Sequence, residues 1–453
     1  MVHYVPHTAE EVSSMLADIG LSGVEELFDC VPAALRLAGG LDLAPGRAEA
    51  DVAEEMARLA GANRAGADLV CFAGAGAYDH DIPAVVRSLA GRSEFVTAYT
   101  PYQPEVAQGV LQALFEYQTL VARLSGLPVA NASLYDGAAA ALEAVNLAAA
   151  ATGRHTVWVS GGLHPHWRAV LATAAAGSGQ RLVEVPLAGG VTDWAAAGRA
   201  DPDGPAPAAL VVASPNFLGV IEDLAAARAE ADGAGALLVA GFDPVSAGLL
   251  ASPGELGADV AVGEGQALGT PLSFGGPYLG MFSCRATHVR RLPGRLVGRS
   301  VDTEGRRAYV STLRAREQDI RREKASSNVC TNQTLVAVAC MVQLAWLGTS
   351  GLRELALRCA RGARYTRDAL LGLPGVAPLV AGTTLREFAL RLPVDPDLAV
   401  ERMAEEGFLA GVAVGVDRGR TTMGGDGLLV AVTEARTRAQ IDAYVAALDK
   451  AVR

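Results

Sequence analysis

Between about residues 65 and 284, short apolar runs alternate with Gly-rich turns and Ala-rich helical stretches. This alternation restricts the fold more than any other feature of the chain. The runs fall at 68–73, 156–160, 182–186, 209–213, 236–240, 258–262 and 279–283, with helical patterns at 138–151, 166–176 and 220–231 between them. Buried strands separated by helices predict an α/β fold, a mostly parallel sheet covered on both faces. Sheets of this kind gather ligands outside the carboxyl ends of their strands. Residues 1–64 read instead as helices, with Thr8 and Glu11 at capping-box spacing. After Cys284 a long polar segment reaches Asn332, and a helix follows over 333–347. The remainder reads as helix, strand (387–392), helix (396–406), strand (428–432) and helix (438–448), a smaller α+β unit. There Glu434 suits the first-turn acid of the last helix. The expected divisions are a helical segment 1–64, a large α/β domain 65–332 and a small domain 333–453. At about 150 residues per domain, a chain of 453 residues is expected to hold two or three.

Composition removes several function classes. With 51% apolar and 19% charged residues the chain has material for large cores and is not disordered. A net charge of −11 argues against nucleic acid, whose phosphates need a basic surface. No uninterrupted apolar stretch reaches the ~18–20 residues of a membrane span. The opening Met-Val-His-Tyr-Val-Pro lacks a signal peptide's basic and apolar regions, so a soluble, cytoplasmic protein is expected. None of the six cysteines forms a C-x-x-C pair, which disfavours zinc and thioredoxin-like readings. Basic residues are almost all arginine. The only lysines are Lys324 and Lys450, so nothing before Lys324 offers a side-chain amine for a Schiff base.

Several motifs could carry chemistry. Gly74-Ala-Gly76 follows an apolar run, but Asp79 stands where a dinucleotide fingerprint needs its third glycine, and a tight turn is the better reading. In 99–105, Tyr-Thr-Pro-Tyr-Gln-Pro-Glu, two prolines stiffen a polar segment that either binds a ligand or packs as a loop. Gly137 and Ala138 open a long helix whose N–H groups suit a phosphate; Asp136, as an N-cap, takes up the same donors. Asp243 follows one strand, and Gln266 follows the next. That is the layout of a large class of pyridoxal-phosphate enzymes, in which an acid pairs with the ring nitrogen and a lysine binds the cofactor. Gln266 cannot form that bond. Residues 290–324 hold eleven basic and five acidic side chains. They form either a solvated face with helical ion pairs such as Glu317 with Arg321, or a docking surface for an anionic ligand or acidic partner. His164-Pro-His166 lacks neighbouring acids or cysteines to complete a metal site.

Five blocks together carry a resemblance. They are 99–105, 130–137 (Ala-Asn-Ala-Ser-Leu-Tyr-Asp-Gly), 263–271 (Gly-Glu-Gly-Gln-Ala-Leu-Gly-Thr-Pro), 274–280 (Phe-Gly-Gly-Pro-Tyr-Leu-Gly) and 321–333 (Arg-Arg-Glu-Lys-Ala-Ser-Ser-Asn-Val-Cys-Thr-Asn-Gln). Over nearly its whole length the chain resembles the P-protein, or glycine decarboxylase, family of the glycine cleavage system, in its bacterial two-subunit form. The resemblance implies a pyridoxal-phosphate enzyme of aminotransferase fold type I, assembled as α2β2. It implies decarboxylation of glycine and transfer of the aminomethyl group to the lipoyl arm of the H-protein. The lysine that binds the cofactor then belongs to the homologous subunit 2, and this chain completes the partner's active site. On this basis Tyr99, Tyr102 and Glu105 are the catalytic candidates, with Thr100, Gln103, Ser326, Ser327, Asn328 and Asn332 at the interface or substrate. Gly137, Ala138, His164, Asp243 and Gln266 mark a vestigial cofactor pocket. Arg290, Arg291, Arg321, Arg322 and Lys324 are expected to dock the H-protein. Two alternatives stand beside this: a non-catalytic structural or regulatory subunit, and a self-sufficient pyridoxal-phosphate lyase or transferase using Lys324.

Overall fold

The computed structural model describes residues 4, 6–37, 39, 41–96, 99–200 and 204–453, so that of the opening Met-Val-His-Tyr-Val-Pro only Tyr4 and Pro6 are described. It divides into two compact units, Met1–Arg64 and Ala65–Arg453. In the first, Thr8 accepts from the Glu11 N–H and the Glu11 carboxylate accepts from the Thr8 N–H, closing the capping box that starts the helix Ala9–Asp18. A second helix spans Glu49–Ala60.

The second unit is built on seven strands: β1 (Val129–Ala130), β2 (Thr156–Ser160), β3 (Arg181–Val185), β4 (Ala209–Ser214), β5 (Leu237–Phe242), β6 (Val260–Glu264) and β7 (Gly280–Cys284). They pair in the order β1-β7-β6-β5-β4-β2-β3, parallel from β6 through β3, with β7 antiparallel to both its neighbours. The mostly parallel α/β sheet is the one the sequence predicts. On one face the helix Gly137–Thr152 lays Ala140, Ala141, Ala144 and Ala148 against Val157, Val239 and Val260. Alanine lets that helix sit close, so the strands' β-branched side chains fill the gap at native density. On the other face Leu224, Ala227 and Ala231 of the helix Leu224–Ala234 cover Leu210, Val212 and Leu238. Each fully buried Val or Leu contributes about 1.5–3 kcal/mol.

A second, five-stranded antiparallel sheet runs Ala377–Pro378, Glu387–Arg391, Gly427–Ala431, Val412–Asp417, Arg420–Met423. Phe388, Leu428 and Val430 pack beneath Tyr444 of the helix Arg438–Ala451. The helix Thr334–Leu370 joins the two cores. Its start buries Ala337, Val338 and Cys340, and its end buries Ala363 and Leu370, with a break at Gly348 (φ 61°). By length and hydropathy it could cross a membrane, but both halves bury side chains in these cores.

Three expectations need correction. The run 68–73 does not join the large sheet: Val70–Cys71 pairs in parallel with Phe408–Leu409, and Phe72 stacks on Tyr444 at 4.0 Å. Its apolar character comes from the second core, a distinction that hydrophobic pattern does not carry. The place at the sheet edge goes to β1, too short to read. Glu434 is not in a helical first turn, because the last helix is capped by Thr437 with Gln440, and Glu434 turns inward instead. The Glu317–Arg321 ion pair does not form among the described residues. The helix there is only Gln318–Arg321, and Arg314 pairs with Asp319 at 2.7 Å.

Candidate functional site

The carboxyl ends of β2, β4, β5 and β6 open onto a cavity of about 570 Å³ between the two sheets. Three places on or beside its lining bear on a phosphorylated pyridine cofactor.

The first is the start of the helix Gly137–Thr152. Its free N–H groups and its dipole favour an anion. Here they already face carboxylates. Asp136 accepts from the Ala139 N–H at 2.7 Å, and Glu264, the last residue of β6, accepts from the Gly137 N–H at 2.9 Å. Glu264 also accepts from the N–H groups of Gln266 (3.0 Å) and Leu279 (2.9 Å). Burial pushes its carboxyl up to about 7 despite these bonds. A Cβ at Gly137 would overlap the Trp167 indole, which lies across the helix start.

The second is Asp243, beyond β5. Its carboxylate is paired with Arg386 at 2.8 Å, and the two side chains are 15% and 6% exposed. The Arg386 guanidinium lies 3.6 Å over the Tyr78 ring and donates to His80 Nε2 at 2.6 Å. Because an arginine can only donate, His80 carries its proton on Nδ1, which donates to Glu434 at 2.6 Å. Glu434 also accepts from the Asp81 N–H at 2.8 Å and from the Cys359 thiol at 3.5 Å. His80, Cys359 and Glu434 resemble a metal triad. The 2.6 Å His80–Glu434 contact is a hydrogen bond, shorter than two ligands on one ion stand apart.

The third is Gln266, 1% exposed and set behind the Tyr78 loop that lines the cavity rather than on the lining itself. Its Oε1 accepts from the Tyr78 N–H at 2.9 Å, while its Nε2 donates to the carbonyls of Tyr78 (3.1 Å) and Thr270 (2.8 Å). The side chain is fully used in tying down the loop after Phe72. In that loop Ala75 (φ 60°) and Gly76 (φ 99°) make the tight turn, and a Cβ on Gly74 would strike Glu387. Glu387 accepts from the Ala75 N–H (2.7 Å) and the Tyr78 hydroxyl (2.8 Å), and burial pushes it up to about 7. His164 contacts the Ala75 carbonyl at 2.9 Å and stands edge-on to Phe217; burial lowers it to about 4, so it is neutral at physiological pH. Ala138 also lines the cavity.

A cofactor test follows from these contacts. Phosphate would meet two carboxylates, the ring nitrogen's acid is engaged by Arg386, and among the described residues no amine lines the cavity. These residues do not fit pyridoxal phosphate. Lys324 is exposed and outside the cavity.

The remaining candidates lie elsewhere. No residue of 99–105 lines this cavity. Tyr99 and Tyr102 are 86% and 60% exposed, and Gln103 and Glu105 are exposed too. Pro101 is buried, which anchors the segment. The Tyr102 ring lies 5.6 Å from the Arg314 guanidinium and 5.9 Å from that of Arg295. Among the described residues the side chains of Tyr99, Thr100, Gln103 and Glu105 have no hydrogen-bond partner. Ser326 and Asn328 are exposed, and Ser327 Oγ accepts from the Val329 N–H at 3.0 Å. Asn332 is buried, accepting from Arg295 at 2.7 Å and donating to the Ala132 carbonyl at 2.9 Å, so its side chain is committed to the fold. Arg290, Arg291, Arg321, Arg322 and Lys324 are exposed, without an ion pair among the described residues. Sequence reading missed Trp167, Glu264, Arg386 and Glu387. Arg386 and Glu387 join the cavity from a distant part of the chain, while Trp167 and Glu264 sit beside His166 and Gln266, and no spacing marks their own part in it.

A family model described as glycine cleavage system P-protein matches residues 2–448. A probable glycine dehydrogenase (decarboxylating) subunit 1 of Moorella thermoacetica is 51% identical over 98% of each chain, and one of Prosthecochloris aestuarii is 48% identical, again over 98% of each. A crystal structure of glycine decarboxylase (P-protein) of the glycine cleavage system, in inhibitor-bound form, superposes with a TM-score of 0.89 at 46% identity, covering 99% of this chain and 100% of that one. Pyridoxamine-pyruvate aminotransferase from Mesorhizobium loti, 16% identical with a TM-score of 0.59 over 85% and 92% of the two chains, shares the fold alone. Fold and sequence agree: the chain has the aminotransferase type I fold and belongs to the glycine cleavage system P-protein family.

Proposed function

We propose that this chain is subunit 1 of a cytoplasmic glycine decarboxylase, inactive by itself and completed by a homologous subunit 2 that binds pyridoxal phosphate through a lysine. The assembled enzyme, read as α2β2, releases carbon dioxide from glycine and passes the aminomethyl group to the lipoyl arm of the H-protein. The observation that carries this reading is the state of the chain's own cavity. Each contact the cofactor needs is met by a protein group: Glu264 at the helix start, Arg386 on Asp243, and Gln266 at the lysine's place. These contacts support assigning the cofactor's chemistry to the partner. We take 65–332 as the large domain and 333–453 as the small one.

The role left to this chain is to shape and close the shared site. Tyr99, Tyr102 and Glu105 are displayed outward on a proline-stiffened segment, ready to meet another chain's surface. The tyrosines position the substrate, with Thr100, Gln103, Ser326, Ser327 and Asn328 around them. Covering the site removes water from the glycine carboxylate and so favours the charge-dispersing loss of carbon dioxide. The exposed, unpaired Arg290, Arg291, Arg321, Arg322 and Lys324 meet the acidic H-protein, an attraction that salt weakens. The test is glycine–bicarbonate exchange by the assembled enzyme. Tyr99→Phe, Tyr102→Phe and Glu105→Gln each lower exchange at least tenfold on this reading. Exchange unchanged in all three assigns the chain a scaffold role instead.

A further inference from the structure

Carboxylates stand at the helix start beside this cavity: the Gly137 and Ala139 N–H groups of the helix Gly137–Thr152 donate to Glu264 and Asp136. Neither acid contacts an arginine, lysine or histidine among the described residues. Among the described residues the one guanidinium on the cavity wall, that of Arg386, is held by Asp243. The space is not filled: about 570 Å³ remain, within the range of small-molecule sites. The rings of Trp167, His164 and Phe217 line the same cavity, the Trp167 indole lying against the helix start at Gly137. His164 is uncharged, so it adds no repulsion. Ring faces attract cations, and a carboxylate out of bulk water does so more strongly.

We propose that this cavity is a binding site for small organic cations, the ammonium group seated between Asp136 and Glu264 and the apolar body against Trp167, His164 and Phe217. The inference rests on the reading above that this chain does not take up pyridoxal phosphate, and it adds what the cavity takes instead.

The test is a series of three probes sharing one ring, titrated calorimetrically into the full chain at about pH 8, where a carboxyl raised to about 7 is ionised. Benzylammonium binds saturably, benzyl alcohol at least tenfold more weakly, and benzoate not at all. Asp136→Asn keeps the helix cap, since Asn caps as well as Asp, and Glu264→Gln keeps a carbonyl oxygen for the Gly137 N–H. Each weakens benzylammonium at least fivefold and leaves benzyl alcohol unchanged. Equal binding of all three probes, tighter binding of benzoate, no saturable benzylammonium binding, or indifference to both substitutions overturns the proposal. If one variant fails to fold, the other and the probe series still decide. Uptake of pyridoxal phosphate by the lone chain would sink the functional reading as well. Missing cation selectivity without such uptake sinks only this inference.

Discussion

Replacing Arg386 by Met tests whether the chain has sealed its own cofactor pocket. The Asp243–Arg386 pair is almost out of solvent, with side chains 15% and 6% exposed and a 2.8 Å contact. Removing one partner of a buried ion pair typically costs about 3–5 kcal/mol, because the other charge is left uncompensated. Arg386 also covers the Tyr78 ring and donates to His80, so the loss falls at the upper end of that range. Asp243→Asn removes the stranded charge, and in the Arg386→Met background it recovers part of the stability. The coupling between the two sites is then about 1–3 kcal/mol. Urea unfolding of the full chain, followed by far-ultraviolet circular dichroism, gives all four corners of the cycle. A cost below about 1 kcal/mol for Arg386→Met, or a further loss on adding Asp243→Asn, refutes the view of Arg386 as the permanent occupant of the acid's site.

Other predictions address neighbouring groups. Gln266→Lys places a cation where three hydrogen bonds tie the loop after Phe72, so it lowers the unfolding midpoint and does not create cofactor binding, read as borohydride-fixed label. His164 is held near 4 against an ordinary 6.5, so the unfolded chain takes up a proton first. Stability is therefore lost as pH falls from about 6.5 towards 4, by about 3 kcal/mol, and His164→Phe flattens that slope. Glu264 works in the opposite sense: raised from 4.5 to about 7, it stabilises the fold while protonated, and that contribution is lost as pH rises through 7. Glu264→Gln removes that loss, which runs from about pH 4.5 to 7, in the same titration. Tyr99→Phe and Tyr102→Phe leave the lone chain's unfolding free energy within about 0.5 kcal/mol of the parent, because both rings are exposed.

Elements whose pattern is local were legible in the sequence. The capping box at Thr8 and Glu11, five of the large-sheet strands between 156 and 262, and the strand at 387–391 all lie where periodicity and cap residues put them. Pairing partners were not legible. The run around Phe72 has a strand's composition, yet its neighbour is Phe408, more than three hundred positions away, and no local signal names it. The same limit governs the cavity. Asp243 and Gln266 stood out because of their spacing and the lysine census. Arg386 and Glu264, which decide what the cavity can hold, carry no mark until the two sheets face each other. Glu434 shows the converse: its sequence context suits a helix start, but the buried His80 and the Asp81 N–H offer it better partners.

The most direct measurement mixes the purified chain with excess pyridoxal phosphate, treats it with borohydride and assays glycine exchange before and after subunit 2 is added. The account predicts no covalently fixed cofactor and no exchange from the chain alone, with exchange appearing on addition of the second subunit. A lone chain that fixes the cofactor and turns over glycine contradicts it.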